Sequence, residues 1–404
     1  MHTLLPGLVC AFLIFITAKH LVGKCLGSST QHRALLGSTR ELYAAACTED
    51  AANLQRLLGS FGAGPDTKGT HLSEALHCAV QRGNYKAAVL LVDAGADISV
   101  QDESQMSPLH WAARLGHTQL AQLLLDAGAD ASVRGANGDT ALHEAANYQH
   151  ENIVEILLAA GADVSIGNLD QPLHRAAMFS SRITRMLIDA GADVAAVGNL
   201  GDTPLTRAAS SAETLKMLID AGALISEAVS DDGRTVLHAA ILSRRFDSVQ
   251  VLLDAGSSPA AADNYGRTAL HYAMSANEPS ITRLLISTGA NIHAKDGQGN
   301  TVLHDAAAGG HKDATNQALG AGADPNAVND LAQSPLHLAA MRGEAQVVQL
   351  LLCAGAKANL MSGDGLTPAQ MAKAWQPTTA QGKCIEEWNN RSYHLVMEYL
   401  KTAD

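Results

Sequence analysis

The chain has 404 residues, 47% apolar and only 4% aromatic, with a formal net charge of -12. That length exceeds what one compact core usually serves, and the apolar share excludes a disordered chain. The negative balance argues against nucleic acid as the main partner, because phosphate binding needs a basic surface.

In chain order, residues 1–27 differ from the rest. Met1 to Ala18 carries no Lys, Arg, Asp or Glu, and Leu8 to Ile16 is continuously apolar. Lys19, Lys24 and Arg33 follow it. An uncleaved membrane anchor fits those basic residues, which the positive-inside tendency places in the cytosol. A cleaved signal peptide fits the short apolar run and the small residues Cys25 and Gly27, and a misassigned start is the third reading. The tether with cytosolic repeats is the expectation carried forward, with secretion as its alternative. The six cysteines, Cys10, Cys25, Cys47, Cys78, Cys353 and Cys384, show no CxxC spacing. They suggest neither a disulfide framework nor a zinc site. Cys47, Cys78 and Cys353 are expected as free thiols in a reducing compartment, and Cys25 as a palmitoylation candidate.

After a linker over 28–37, residues 38–375 are dominated by one self-similarity. A Leu-His pair recurs at His77, His110, His143, His174, His238, His271, His304 and His337. The steps are 33, 33, 31, 64, 33, 33 and 33, and Thr206 fills the double step. Fixed periods of this length mean a stacked repeat architecture. Ser or Thr before Pro caps a first helix, and an Ala-Ala pair lets neighbouring helices approach. Apolar residues such as Ile153, Ile156, Leu157 and Ala160 mark a second helix, and a Gly closes it. Asp-x-x-Gly-x-Thr stretches such as Asp296 to Thr301 predict hairpin-like turns.

The unit resembles the ankyrin repeat. The best copies are Ser107-Pro108-Leu109-His110-Trp111-Ala112-Ala113 and Ser334-Pro335-Leu336-His337-Leu338-Ala339-Ala340. Leu123-Leu124-Leu125-Asp126-Ala127-Gly128-Ala129-Asp130 matches the second half. Degenerate units at Leu42-Tyr43-Ala44-Ala45-Ala46 and Thr367-Pro368-Ala369-Gln370-Met371-Ala372 extend the array to about eleven units. The resemblance implies an all-α solenoid of helix-turn-helix units with β-hairpin-like connections, which binds partners through hairpin tips and first helices. Residues 376–404 are expected to close the array, with Ile385, Trp388, Leu395, Val396, Tyr399 and Leu400 near one helix face.

The pattern breaks twice. Most units place 18 residues between motif His and closing Gly, but His174 to Gly191 is 17 and Thr206 to Gly222 is 16. In the unit after His304, Ala314 and Gln317-Ala318-Leu319 stand where other units have Ile153 or Val347 and Leu284-Leu285-Ile286. The helix near 311–320 is therefore expected to be weakly held.

No chemistry emerges. Eight of the 17 histidines hold the repeat position, so a structural role within the turn and to the neighbouring unit is expected. His143-Glu144-Ala145-Ala146-Asn147 lacks the second His of a zinc motif, and Gly62 to Lys68 fails the phosphate-loop pattern. Asn390-Arg391-Ser392 is a glycosylation triplet that matters only after secretion. The chain is read as a non-enzymatic, monomeric protein-protein scaffold or adaptor without cofactor or metal. Its alternatives are a secreted, toxin-like effector and the targeting subunit of an enzyme complex. The residue after each motif position, and those three and four further on, share a helix face. There Trp111, Arg114, Tyr148, Arg175, Phe179 and Arg207 are the expected partner contacts, since Trp, Tyr and Arg are enriched at hot spots. The later row of Ala239, Leu242 and Ser243, then Tyr272, Ser275 and Ala276, then Asp305, Ala308 and Gly309 is expected to be blander.

Overall fold

The computed structural model describes residues 40–403 apart from 49, 61–64, 136, 168–169, 200, 226–229, 231 and 375–392, with backbone alone at 60 and 65–70. The leader, the linker, Cys10, Cys25, Cys384, Trp388 and the Asn390 triplet lie outside the described residues. Among the described residues no helix is long and apolar enough to cross a membrane.

The fold is an all-α repeat solenoid whose residues divide into two compact units, Met1–Asp130 and Ala131–Asp404. In the first unit the first helices of successive repeats are residues 40–47, Pro65–Gln81 and Pro108–Leu115. Their second helices are Ala51–Ser60, Tyr85–Asp93 and Thr118–Asp126. In the second unit the pairs begin with Ala141–Asn147 and Glu151–Ala159, and run to Pro335–Arg342 and Ala345–Cys353. Pro368–Ala374 and a closing helix over 393–401 follow. Tyr393 donates to the Met341 carbonyl at 2.6 Å, and Val396 and Leu400 are buried, so this helix covers the last full pair.

Local chemistry explains each element. Ser or Thr side chains and the histidine three residues on form reciprocal capping boxes at the first helices, with Pro in several first turns. The second helices close on Gly128, Gly161 and Gly289, whose φ values of 91°, 82° and 90° favour glycine. The Leu, Ile, Val and Ala residues picked out by the periodicity fill the core, with Leu142, Ile153, Val154 and Leu157 fully buried. In the connections, Asp296 Oδ1 accepts from Gln298 N at 2.9 Å and Asn300 N at 2.8 Å, the turn chemistry expected of the Asp-x-x-Gly-x-Thr stretch. Among the described residues these hairpins form isolated bridges, Ala262 with Thr268 and Lys295 with Thr301. Successive fingers join by single backbone hydrogen bonds, such as Gly297 N to Tyr265 O and Asp330 N to Gln298 O.

The two shortened repeats have a common cause. Elsewhere the turn between first and second helix contains a residue of positive φ, such as Gln149, Arg244, Asn277 or Gly310. After Pro172–Phe179 that residue is missing. Ser180 alone, in extended conformation, ends one helix and caps the next through its hydroxyl, which accepts from Ile183 N. Ser211 does the same for Thr214 N, and the helix before it, Pro204–Arg207, tightens into the 3-10 turn Ala208–Ser210. The lost residues thus come out of the turn facing the first-helix ends.

One expectation is corrected. Cys47 and Cys78 are not free thiols but form a disulfide, with Cα atoms 5.3 Å apart. The repeat register places them on adjacent first helices, which CxxC spacing does not detect. Cys353 is free and exposed.

Candidate functional site

Because the motif histidines are the most conspicuous chemistry-bearing residues, their hydrogen bonds decide what they can do. In His143 the Nδ1 atom accepts from Thr140 N at 3.0 Å, so the ring proton sits on Nε2 and is donated to the Asp170 carbonyl at 2.9 Å. His304 repeats the arrangement between Thr301 N and the Gln333 carbonyl, and His337 between Ser334 N and the Leu366 carbonyl. Each of these three imidazoles thus bridges its own turn to the next repeat with both nitrogens engaged, whereas His238 caps its turn through Nδ1 and buries Nε2 without a hydrogen-bond partner. Burial pushes the pKa of His143, His174, His271 and His337 down, and that of His238 and His304 down to about 4. This is the structural role expected of them. Thr206 substitutes a hydroxyl that caps the Thr203 amide at 3.1 Å. No group of three metal-ligating side chains occurs among the described residues.

The row of expected partner contacts sorts into two kinds. In the first unit, the Trp111 indole donates to Asp102 Oδ2 at 2.7 Å and the Arg114 guanidinium lies 5.6 Å from the centre of its ring. In the second unit, Arg175 reaches Asp139 at 3.6 Å and Asp170 at 3.4 Å. Arg207 pairs with Asp170 at 3.1 Å and with Asp202. These five side chains make a continuous ladder of alternating charge across three repeats. The acids stand four residues before the motif position and the arginines one after it. Arg207 is only 19% exposed, so much of its charge is spent inside the array. Sequence reasoning missed the ladder, because the repeat period alone does not show that these two positions meet across adjacent repeats.

Tyr148 and Phe179 differ. They are 41% and 50% exposed, at the ends of consecutive first helices, with Met178 exposed beside Phe179. Past the shortened repeat, Leu242 and Phe246 are exposed as well. Between them lie only Ser210 and Ser211, at the turn that has lost residues. The result is a rim of large apolar side chains, interrupted by exposed Ser243, Arg244 and Arg245, around a small-residue gap. Further on, Tyr272 departs from the bland, open row expected there. It is 9% exposed, donates to Asp263 Oδ2 at 2.6 Å and lies under the Arg267 guanidinium at 4.4 Å.

A family model described as "Ankyrin repeats (3 copies)" matches the chain in overlapping stretches, 42–134, 76–168, 127–197, 173–263, 223–296, 249–329 and 303–378. This chain belongs to the ankyrin-repeat family. As ankyrin repeats, its units are of a class that generally serves protein interaction. The shortened turns at Ser180 and Ser211 are departures of this ankyrin array from its own period. Comparison with curated proteins finds no match.

Proposed function

We propose that this ankyrin array is a protein-binding scaffold whose partner docks on the first-helix ends between Tyr148 and Phe246. The observation that carries this is the apolar rim of Tyr148, Met178, Phe179, Leu242 and Phe246 around the gap at Ser210 and Ser211. Large apolar side chains grouped at a surface mark interaction sites, whereas single ones do not. Aromatic anchors beside small residues also offer a partner both contact area and room. Arg175 and Arg207 serve this surface by holding its repeats in register and presenting their exposed edges. Trp111 and Arg114 are contacts on the first unit in the same reading.

The test is quantitative affinity purification of the full chain with cross-linking. Wild type is compared with Tyr148→Ala plus Phe179→Ala, and with Tyr265→Ala plus Leu331→Ala on exposed hairpin tips. At least one partner protein should fall by about tenfold or more in the first variant, a loss of about 1.4 kcal/mol or more of binding, and stay in the second. Melting temperatures should be unchanged in both. A full set of partners retained by the first variant removes this surface from consideration.

A further inference from the structure

The Cys47–Cys78 bond joins the first helices of the first two described repeats, across a sequence separation of 31 residues. Cys47 ends the helix over residues 40–47, and Cys78 lies one place after the motif histidine His77. The Cα separation of 5.3 Å lies in the range that a disulfide bridges without moving the backbone. Cys78 is 4% exposed, packed in a layer where Leu42, Ala45, Ala46, Ala79 and Val80 are also buried. The same junction is tied by Asn84 Nδ2, which donates to the Ala46 carbonyl at 3.2 Å.

In a repeat array the outermost unit is held by one neighbour only, and it frays first. The helix over 40–47 has eight residues, too few to persist alone in water. A covalent bond at that junction therefore acts where the array is weakest. Such a bond persists in oxidising compartments and is kept open in the cytosol by reducing systems. We propose that Cys47–Cys78 is a native bond that locks the first repeat to the second, and that the array matures and works on the oxidising side of a membrane or outside the cell. This reverses the cytosolic placement drawn from the basic residues after the leader, and favours the secreted alternative.

The chemistry is two thiol–disulfide exchanges with an oxidised dithiol oxidoreductase. One cysteine thiolate attacks the oxidant's disulfide and forms a mixed disulfide. The second thiolate then attacks the protein sulfur of that bond. Two electrons and two protons pass to the oxidant, which leaves as the dithiol. Nothing in this depends on which surface binds a partner.

The experiment uses the full chain in its native cells. Thiols are blocked with N-ethylmaleimide before lysis, and a non-reducing digest is read by mass spectrometry. The peptides holding Cys47 and Cys78 should be recovered linked, with Cys353 alkylated. Recovery of Cys47 and Cys78 as two alkylated thiols overturns the proposal. In parallel, the array should be found in the medium, or shielded from added protease in sealed vesicles until detergent is added. Digestion at the cytosolic face overturns the placement. On purified protein, reduction should lower hydrogen-exchange protection over residues 40–57 by at least tenfold and leave 108–126 unchanged. Cys47→Ser should reproduce that pattern without reductant, and Cys353→Ser should not. Equal protection in the oxidised and reduced wild type overturns the lock, even if Cys47→Ser fails to fold.

Discussion

Asp305 stands where two other repeats place a hydrogen-bond donor. In those repeats the loop Asp accepts from the residue nine positions on, Trp111 to Asp102 at 2.7 Å and Tyr272 to Asp263 at 2.6 Å. Here the nine-residue pair is Asp296 and Asp305, two acids, and Asp305 Oδ2 is buried without a hydrogen-bond partner. Burial pushes the Asp305 pKa up to about 7, Arg267 opposes the rise and Asp296 adds to it. A folded pKa above the ordinary 3.8 means the folded state holds the proton more tightly. The stability it contributes is therefore full at low pH and is lost as pH rises from about 4 to 7. Asp305→Asn keeps the shape without the charge. It should raise the melting temperature, and the stabilisation should grow over that window and level off above it, reaching about 1–3 kcal/mol of unfolding free energy at pH 8. A gain that is the same at pH 4 and pH 8 would show that charge is not its source.

At the scale of elements, the helix Lys312–Gly320 is the thinnest part of the second unit's core. Ala314 and Ala318 are fully buried where neighbouring repeats bury Ile281 and Leu285, or Val347 and Leu351. Gln317 is half-buried, with Oε1 lacking a hydrogen-bond partner. Each large side chain exchanged for Ala forgoes about 1.5–3 kcal/mol of burial, so this helix should open before its neighbours. Hydrogen exchange should show lower protection over 312–320 than over 345–353, and Gln317→Leu should raise it. Equal protection in the two wild-type helices would defeat the argument. This weakness was legible in the sequence, because the core positions recur every 33 residues and a substitution at one is visible by comparison with the others. The helix capping, the closing glycines and the histidine bridges were legible for the same reason. The disulfide, the Asp139–Arg175–Asp170–Arg207–Asp202 ladder and the burial of Tyr272 were not. Each depends on which residues of adjacent repeats come face to face, and a one-dimensional period does not display that. The exposed rim was half legible. Phe179 and Tyr148 were singled out, but Leu242 was placed in the blander row, and Phe246 belongs to a second helix and lay outside the face considered.

For the molecule as a whole, the repeated histidines make stability depend on pH in a way no single repeat would. His143, His174, His238, His271, His304 and His337 all have pKa values lowered by burial. A proton arriving on Nδ1 would meet a backbone N–H that already points at it, and this geometry recurs at all six. The folded state therefore refuses protons that the unfolded chain accepts. Stability from these groups is full above the ordinary histidine pKa of 6.5 and is lost as pH falls towards the folded values. For His238 and His304, with folded values of about 4, the loss at pH 5 is about 2 kcal/mol each. Asp305 works in the opposite direction over the same window, but it is one group against six. In a linear array the terms act repeat by repeat, so acid should unfold the chain in stages, with no single two-state step. Thermal melts followed by circular dichroism should show the midpoint falling between pH 7 and pH 5 and the transition broadening. NMR should show the His238 and His304 imidazoles still neutral at pH 5.5 in the folded chain, and the other four titrating below the ordinary value. A midpoint that is flat across this range, or imidazoles that titrate near 6.5 while the array stays folded, would mean that the bridges do not hold the repeats together.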